Sequence, residues 1–176
     1  MSAWLVLSFV LTSCAMLMLI WAALHDLAAR TVPNALPAAI LTIGICFRTM
    51  DHSVFLSLVI ASVLFLVLFA FWLIGAIGGG DVKLWSASAV LIPPHWQMEF
   101  SCITRILLAG GVLALLYLTL RMIVRRPRAS QSGSLVTRVA RAEAWRISRK
   151  APLPYAFAIA GGTIFTLLPL SLSGFR

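Results

Sequence analysis

Carboxylates are scarce in this 176-residue sequence, which carries five in all: Asp26, Asp51, Asp81, Glu99 and Glu143. Asp51 and Glu99 fall where short loops are expected, and Glu143 stands among arginines, where charge balance accounts for it. Asp26 closes the first long apolar run, and Asp81 precedes the fourth. An ionised Asp at mid-bilayer costs about 2.5–3.5 kcal/mol on insertion scales, so a carboxylate beside an apolar span is a candidate for chemistry. A plain helix-end role is the other reading of each. Two carboxylates held together can hydrolyse a peptide. One is ionised and deprotonates a water, and the other is protonated and polarises the carbonyl. Close carboxylates share a proton because both cannot ionise cheaply. Such a site needs no metal and no organic cofactor, and neither is expected.

The flanks of the two aspartates differ. Asp81 follows Gly78-Gly79-Gly80 and precedes Val82-Lys83-Leu84. Three glycines between apolar segments break a helix and let another backbone approach closely; the alternative is a glycine turn with Asp81 as N-cap. Asp26 is followed by Arg30 and then Val32-Pro33-Asn34. Pro33 ends the first helical stretch, and Asn34 can cap the next. Arg30 and Lys83 either tune the carboxylates, bind anionic lipid or snorkel to the interface. His25 projects ~100° around the helix from Asp26, and His52 and His95 fall in loops on the opposite side. Cys14, Cys46 and Cys102 form no CxxC pair, so neither a zinc site nor a redox motif is indicated, and buried inert thiols are expected.

The elements that must position these residues are set by composition. The chain is 61% apolar and 11% charged, with a mean hydropathy of +1.02, against about 45–50% and about 25% for a soluble domain. Six apolar segments stand out, at 3–24, 35–47, 54–77, 83–92, 103–124 and 155–172. Helix is the conformation lipid permits, because it hydrogen-bonds its own backbone. Segments one, three and five are long enough to span, and two and four fall short of the ~20 residues a span needs. The expected fold is all-α, a polytopic bundle of about six transmembrane helices forming one membrane-embedded domain over 1–176. The first run has no preceding Lys or Arg and is too long for a cleavable signal, so it reads as a retained helix.

Nine of the 14 Lys and Arg residues lie between Arg121 and Lys150. In a membrane protein such a run marks a cytoplasmic loop, here 125–151, rather than a nucleic-acid site, and anionic lipid is its natural partner. Threading six spans then puts those nine with Arg30 and Lys83 inside and Arg48, Arg105 and Arg176 outside, an 11 to 3 split. The stretch 135–150 reads either as an amphipathic helix with Leu135, Val139 and Trp145 toward lipid, or as a solvated tether.

Two motifs carry a resemblance. Gly78-Gly79-Gly80-Asp81 with Lys83 resembles the GxGD motif of intramembrane aspartic peptidases in its type IV prepilin peptidase version. The stretch Asp26-Leu27-Ala28-Ala29-Arg30-Thr31-Val32-Pro33-Asn34 is similar to that family's first-aspartate motif, and Pro154-Tyr155-Ala156 with Gly161-Gly162 to its last-helix motif. The resemblance implies a bacterial inner-membrane aspartic endopeptidase. It would cut the leader of type IV prepilins or pseudopilins at the cytoplasmic face, with Asp26 and Asp81 catalytic. Gly78, Gly79, Gly80, Lys83, Arg30, Pro33 and Asn34 would form the active-site loops. No paired CxxC motifs are present, as in the short form that serves Flp-type pili. With no glycine-rich nucleotide fingerprint either, cleavage without methylation of the product is expected. Two other classes stand beside this one: a non-enzymatic assembly factor, and a small transporter using Asp26 and Asp81 as a proton relay.

Overall fold

A computed structural model describes residues 3–123, 145 and 153–172. Among them are six helices and no strand: α1 (Ala3–Ala29), α2 (Ala35–Met50), α3 (Val54–Leu73), α4 (Gly79–Ala89), α5 (Trp96–Ile123) and α6 (Tyr155–Leu172). This is the all-α bundle the composition requires. Helices α1, α3 and α5 are long and apolar enough to cross a membrane. Large apolar side chains such as Phe9, Phe55, Leu66 and Leu108 face outward, as a lipid-facing surface demands. The basic segment 125–151 lies outside the described residues except for Trp145, which is helical and half exposed.

Helix α1 shows how sequence spacing sets the interior. Thr12, Ala15, Leu19, Ala22 and Asp26 are all buried. They recur every three or four residues and so share one face of a helix with 3.6 residues per turn. Asp26 therefore continues the stripe that α1 turns toward the bundle, one turn before the helix ends at Ala29 rather than at Leu24. Facing α1 is α6, which also lies along α5. The α5–α6 contact is close because of Gly162, where a Cβ would come within 2.5 Å of Ile106. Small residues at such positions let membrane helices approach.

Helix α4 has 11 residues, about 16 Å at 1.5 Å per residue, roughly half of a ~30 Å hydrocarbon core. It is buried from Leu84 through Ala89, and Val90, Leu91 and Ile92 after it are buried too. It packs among α2, α3 and α6. A helix that stops inside a bundle leaves carbonyls that lipid cannot satisfy. Arg48, at the end of α2 and 1% exposed, answers this. Its Nη2 donates to the Leu91 carbonyl at 3.3 Å and its Nη1 pairs with Asp51. Asp51 also accepts from the Ser53 backbone N–H at 3.2 Å. Glu99 corrects the loop expectation. It lies in the first turn of α5, is buried, and stands within Coulombic reach of Arg48.

Arg105, expected near the outer surface, is instead the tenth residue of α5. Pro169 inside α6 has no N–H for the carbonyl four residues before it, which is that of Phe165. Arg105 supplies the missing donor, with Nη1 at 2.7 Å from the Phe165 carbonyl and 3.2 Å from the Thr166 hydroxyl.

Candidate active site

The ends of α1 and α3 and the starts of α2, α4 and α6 meet at one end of the bundle, beside the stretch of α5 from Gly110 to Tyr117. Asp26 comes from the last turns of α1. Asp81 comes from the first turn of α4, 55 residues later in the chain. The fold brings them together: the Asp81 carboxyl feels the charges of both Asp26 and Arg30. Asp26 is 7% exposed and Asp81 half-buried, so a pair that α1 alone would hide opens on the α4 side.

The glycines act differently from a simple break. Gly78 is the N-cap of α4, in extended conformation (φ −72°, ψ 142°), and Gly79 and Gly80 are already helical. Asp81 is therefore the third residue of the helix, not its cap. Its carboxylate takes a backbone hydrogen bond from Gly78, the acid half of a capping box. A carboxylate there is also favoured by the helix dipole. Gly80 sits against Val32 of the α1–α2 loop, where a Cβ would lie 3.3 Å from the valine Cβ. Gly79 lies beside the indole of Trp72 at the end of α3. No side chain of this tripeptide stands between the carboxylates and an approaching chain.

Arg30 has φ 56°, the left-handed conformation that usually falls to glycine after a helix. Its N–H closes α1 on the Asp26 carbonyl at 2.8 Å. Holding a non-glycine residue there costs about 1–2 kcal/mol. The turn aims its guanidinium at α5, where Nη2 donates to the Tyr117 hydroxyl at 3.3 Å and the cation lies 5.8 Å from that ring's centroid. Thr31 bends back on α1, its carbonyl 2.7 Å from His25 Nδ1, so His25 serves the loop. Pro33 is exposed, and its carbonyl accepts from Leu36 N–H at 3.0 Å. Asn34 does not cap α2 through its side chain. Its Oδ1 accepts instead from Lys83 Nζ at 3.0 Å, so the two motifs touch through these residues as well.

Tyr155 is a residue that the sequence reading placed in the last-helix motif but not among the site residues. It starts α6, stacks at a tilt on Trp85 with 6.0 Å between ring centroids, and lies within electrostatic reach of Asp81. Gly110 of α5 makes room for its ring. The signal in sequence was its place in Pro154-Tyr155-Ala156, at the entry of the last helix. Among the described residues no group of three or more His, Cys, Asp or Glu could hold a metal ion.

Fold and site together define a helical membrane protein with two acidic residues from separate helices at one end of its bundle. The sequence profile of the Type IV leader peptidase family matches residues 13–120, a stretch that contains both aspartates and more than half of the chain. The chain belongs to that family and is a peptidase by membership. No curated protein and no solved structure matches it.

Proposed function

We propose that this chain is an aspartic endopeptidase of the bacterial inner membrane that removes the leader of Flp-like type IV prepilins or pseudopilins. The observation that carries this is the meeting of Asp26 and Asp81, from α1 and α4, at the glycine-lined end of the bundle. One carboxylate takes a proton from water as the oxygen attacks the scissile carbonyl carbon. The other, protonated, donates to the carbonyl oxygen. Collapse of the tetrahedral adduct breaks the C–N bond: the proton gained by the first carboxylate passes to the departing amine, and the second carboxylate takes its proton back from the hydroxyl that becomes the product carbonyl. Gly79 and Gly80 let the start of α4 pack closely on Trp72 and Val32, which holds Asp81 at the mouth of the site. Arg30, Pro33, Asn34 and Lys83 shape the rim.

The cytoplasmic face is favoured because the sequence between α5 and α6, 125–151, is rich in Lys and Arg and such segments stay inside, and Tyr155, which follows it, lies at the site. Anionic lipid is the segment's proposed partner. Incubation of the purified protein in detergent with a leader-bearing prepilin tests the reading: a cleaved product without an added methyl group is expected from the wild type. Cleavage by an Asp81→Asn variant at the wild-type rate would overturn it. Labelling of a cysteine placed at Ser132 from the periplasmic side would overturn the orientation.

A further inference from the structure

The chain has two tyrosines, Tyr117 and Tyr155, and one face of α5 meets both. Tyr155 packs on Gly110, and Tyr117 stands seven residues further along the same helix. Seven residues turn a helix through about 700°, two turns less about 20°, so Gly110 and Tyr117 share a face. Tyr117 is half-buried, while its neighbours Leu116 and Leu118 are exposed. A tyrosine ring suits apolar surroundings, but its hydroxyl needs a polar partner. Tyr117 has one across the bundle: its oxygen accepts from Arg30 Nη2 at 3.3 Å, and the Arg30 cation lies 5.8 Å from the centroid of its ring.

Arg30 is a costly residue where it stands. Its φ of 56° is one that glycine holds without strain. The bond that closes α1, from the N–H of residue 30 to the Asp26 carbonyl, uses no side chain, so a glycine would serve the backbone equally well. Strain of this kind points to a use for the side chain. Its charge does act on the site, where the Asp81 carboxyl is repelled by Asp26 and attracted by Arg30. Lys83, though closer to Asp81 in sequence, bonds to Asn34.

A cation on a long side chain with many rotamers helps only while it is held in place. The backbone around Arg30 is pinned by its own N–H, by the Thr31 carbonyl 2.7 Å from His25 Nδ1, and by Val32 against Gly80. Tyr117 reaches the far end of the side chain, from a helix that barely touches α1 along its length. Building on the peptidase reading, we propose that Tyr117 is a positioning residue for peptide cleavage: it fixes the Arg30 guanidinium within Coulombic reach of Asp81, and the fixed cation lets one of the two aspartates stand ionised while the other keeps the proton. An opposite charge a few ångströms away favours the charged form of a carboxyl, and more so where water is partly excluded. Tyr117 does this without touching substrate.

The test uses the full-length protein in detergent with a leader-bearing prepilin, and reads kcat, KM and the unfolding midpoint together. Tyr117→Phe keeps the ring and removes the hydroxyl. It should lower kcat by about tenfold, the scale of one hydrogen bond to a charged group, with KM and the midpoint close to wild type. Arg30→Gly should lower kcat at least as much, yet leave the midpoint at or above wild type, because glycine adopts the φ of residue 30 freely. A structural role for Arg30 would move the two readouts down together. Adding Tyr117→Phe to Arg30→Gly should cost no further kcat, since the hydroxyl acts through the guanidinium. Wild-type kcat in Tyr117→Phe, an equal loss of kcat in both backgrounds, or losses that go with a lowered midpoint would overturn the positioning role. Failure of the wild type to cleave any prepilin would instead overturn the peptidase reading.

Discussion

Arg48 and Lys83 both tie α2 to α4, at opposite ends and in opposite surroundings. Arg48 is buried, bonded to the Leu91 carbonyl and to Asp51, with Glu99 close by. Lys83 is exposed and meets only the neutral amide of Asn34 among the bonds seen for it. The first end is closed, because α4 stops inside the bundle and its backbone has no water to turn to. The second end is open, as the proposed cleavage requires of the end where substrate and water enter. In a half-length helix, the charges that hold structure and those that border chemistry can thus be told apart by burial, although both are single cations near acids in the sequence.

The largest effect should come at the open end. Asp26→Asn or Asp81→Asn keeps shape but cannot move a proton, and each should cut the cleavage rate by at least about 100-fold while membrane insertion and thermal unfolding in detergent stay close to wild type. If Asp51→Ala produced the same loss without unfolding, the division between the two ends would fail.

The next effect belongs to the closed end. Arg48→Leu removes the cation that bonds the Leu91 carbonyl and offsets the charge of Glu99. Breaking a buried pair costs about 3–5 kcal/mol, readable as a lowered unfolding midpoint in detergent. Adding Glu99→Leu should recover part of that stability, because removing both charges is cheaper than stranding one. No recovery would mean that Glu99 is not the group Arg48 compensates.

A smaller coupling is expected between Arg105 and Pro169. Arg105→Leu should destabilise by about 1 kcal/mol, and by less in a Pro169→Ala background, where the helix satisfies its own Phe165 carbonyl. A double-mutant cycle by thermal unfolding reads the difference. Smallest of all, Lys83→Met should shift stability by no more than about 0.5 kcal/mol.

Much of this site was legible before any fold was in hand. The scarcity of carboxylates singled out Asp26 and Asp81, and the glycines and the Pro33-Asn34 turn marked where chain breaks fall. Glu99 was missed because its local sequence, beside Pro93, Pro94 and His95, reads as loop. Its burial places it within Coulombic reach of Arg48, 51 residues away in sequence. Asn34 looked like a cap because its type and position fit one, yet a lysine from another helix offers its side chain a charge-assisted bond.

Hydropathy and charge by themselves determined the solvent, the helical class and the six apolar segments that form helices among the described residues, since lipid accepts a backbone only when it bonds to itself. Which face of α1 turns inward, with Asp26 beside Leu19 and Ala22, came from packing, since the opposite face, with Phe9, Leu17 and Trp21, is apolar as well. Only the tertiary structure decided that α4 stops halfway, that Arg48 and Arg105 serve carbonyls of other elements, and that Tyr155 comes within electrostatic reach of Asp81. Those outcomes depend on which helices lie side by side, and the packing of side chains between distant segments fixes that, with no period in the local sequence to announce it.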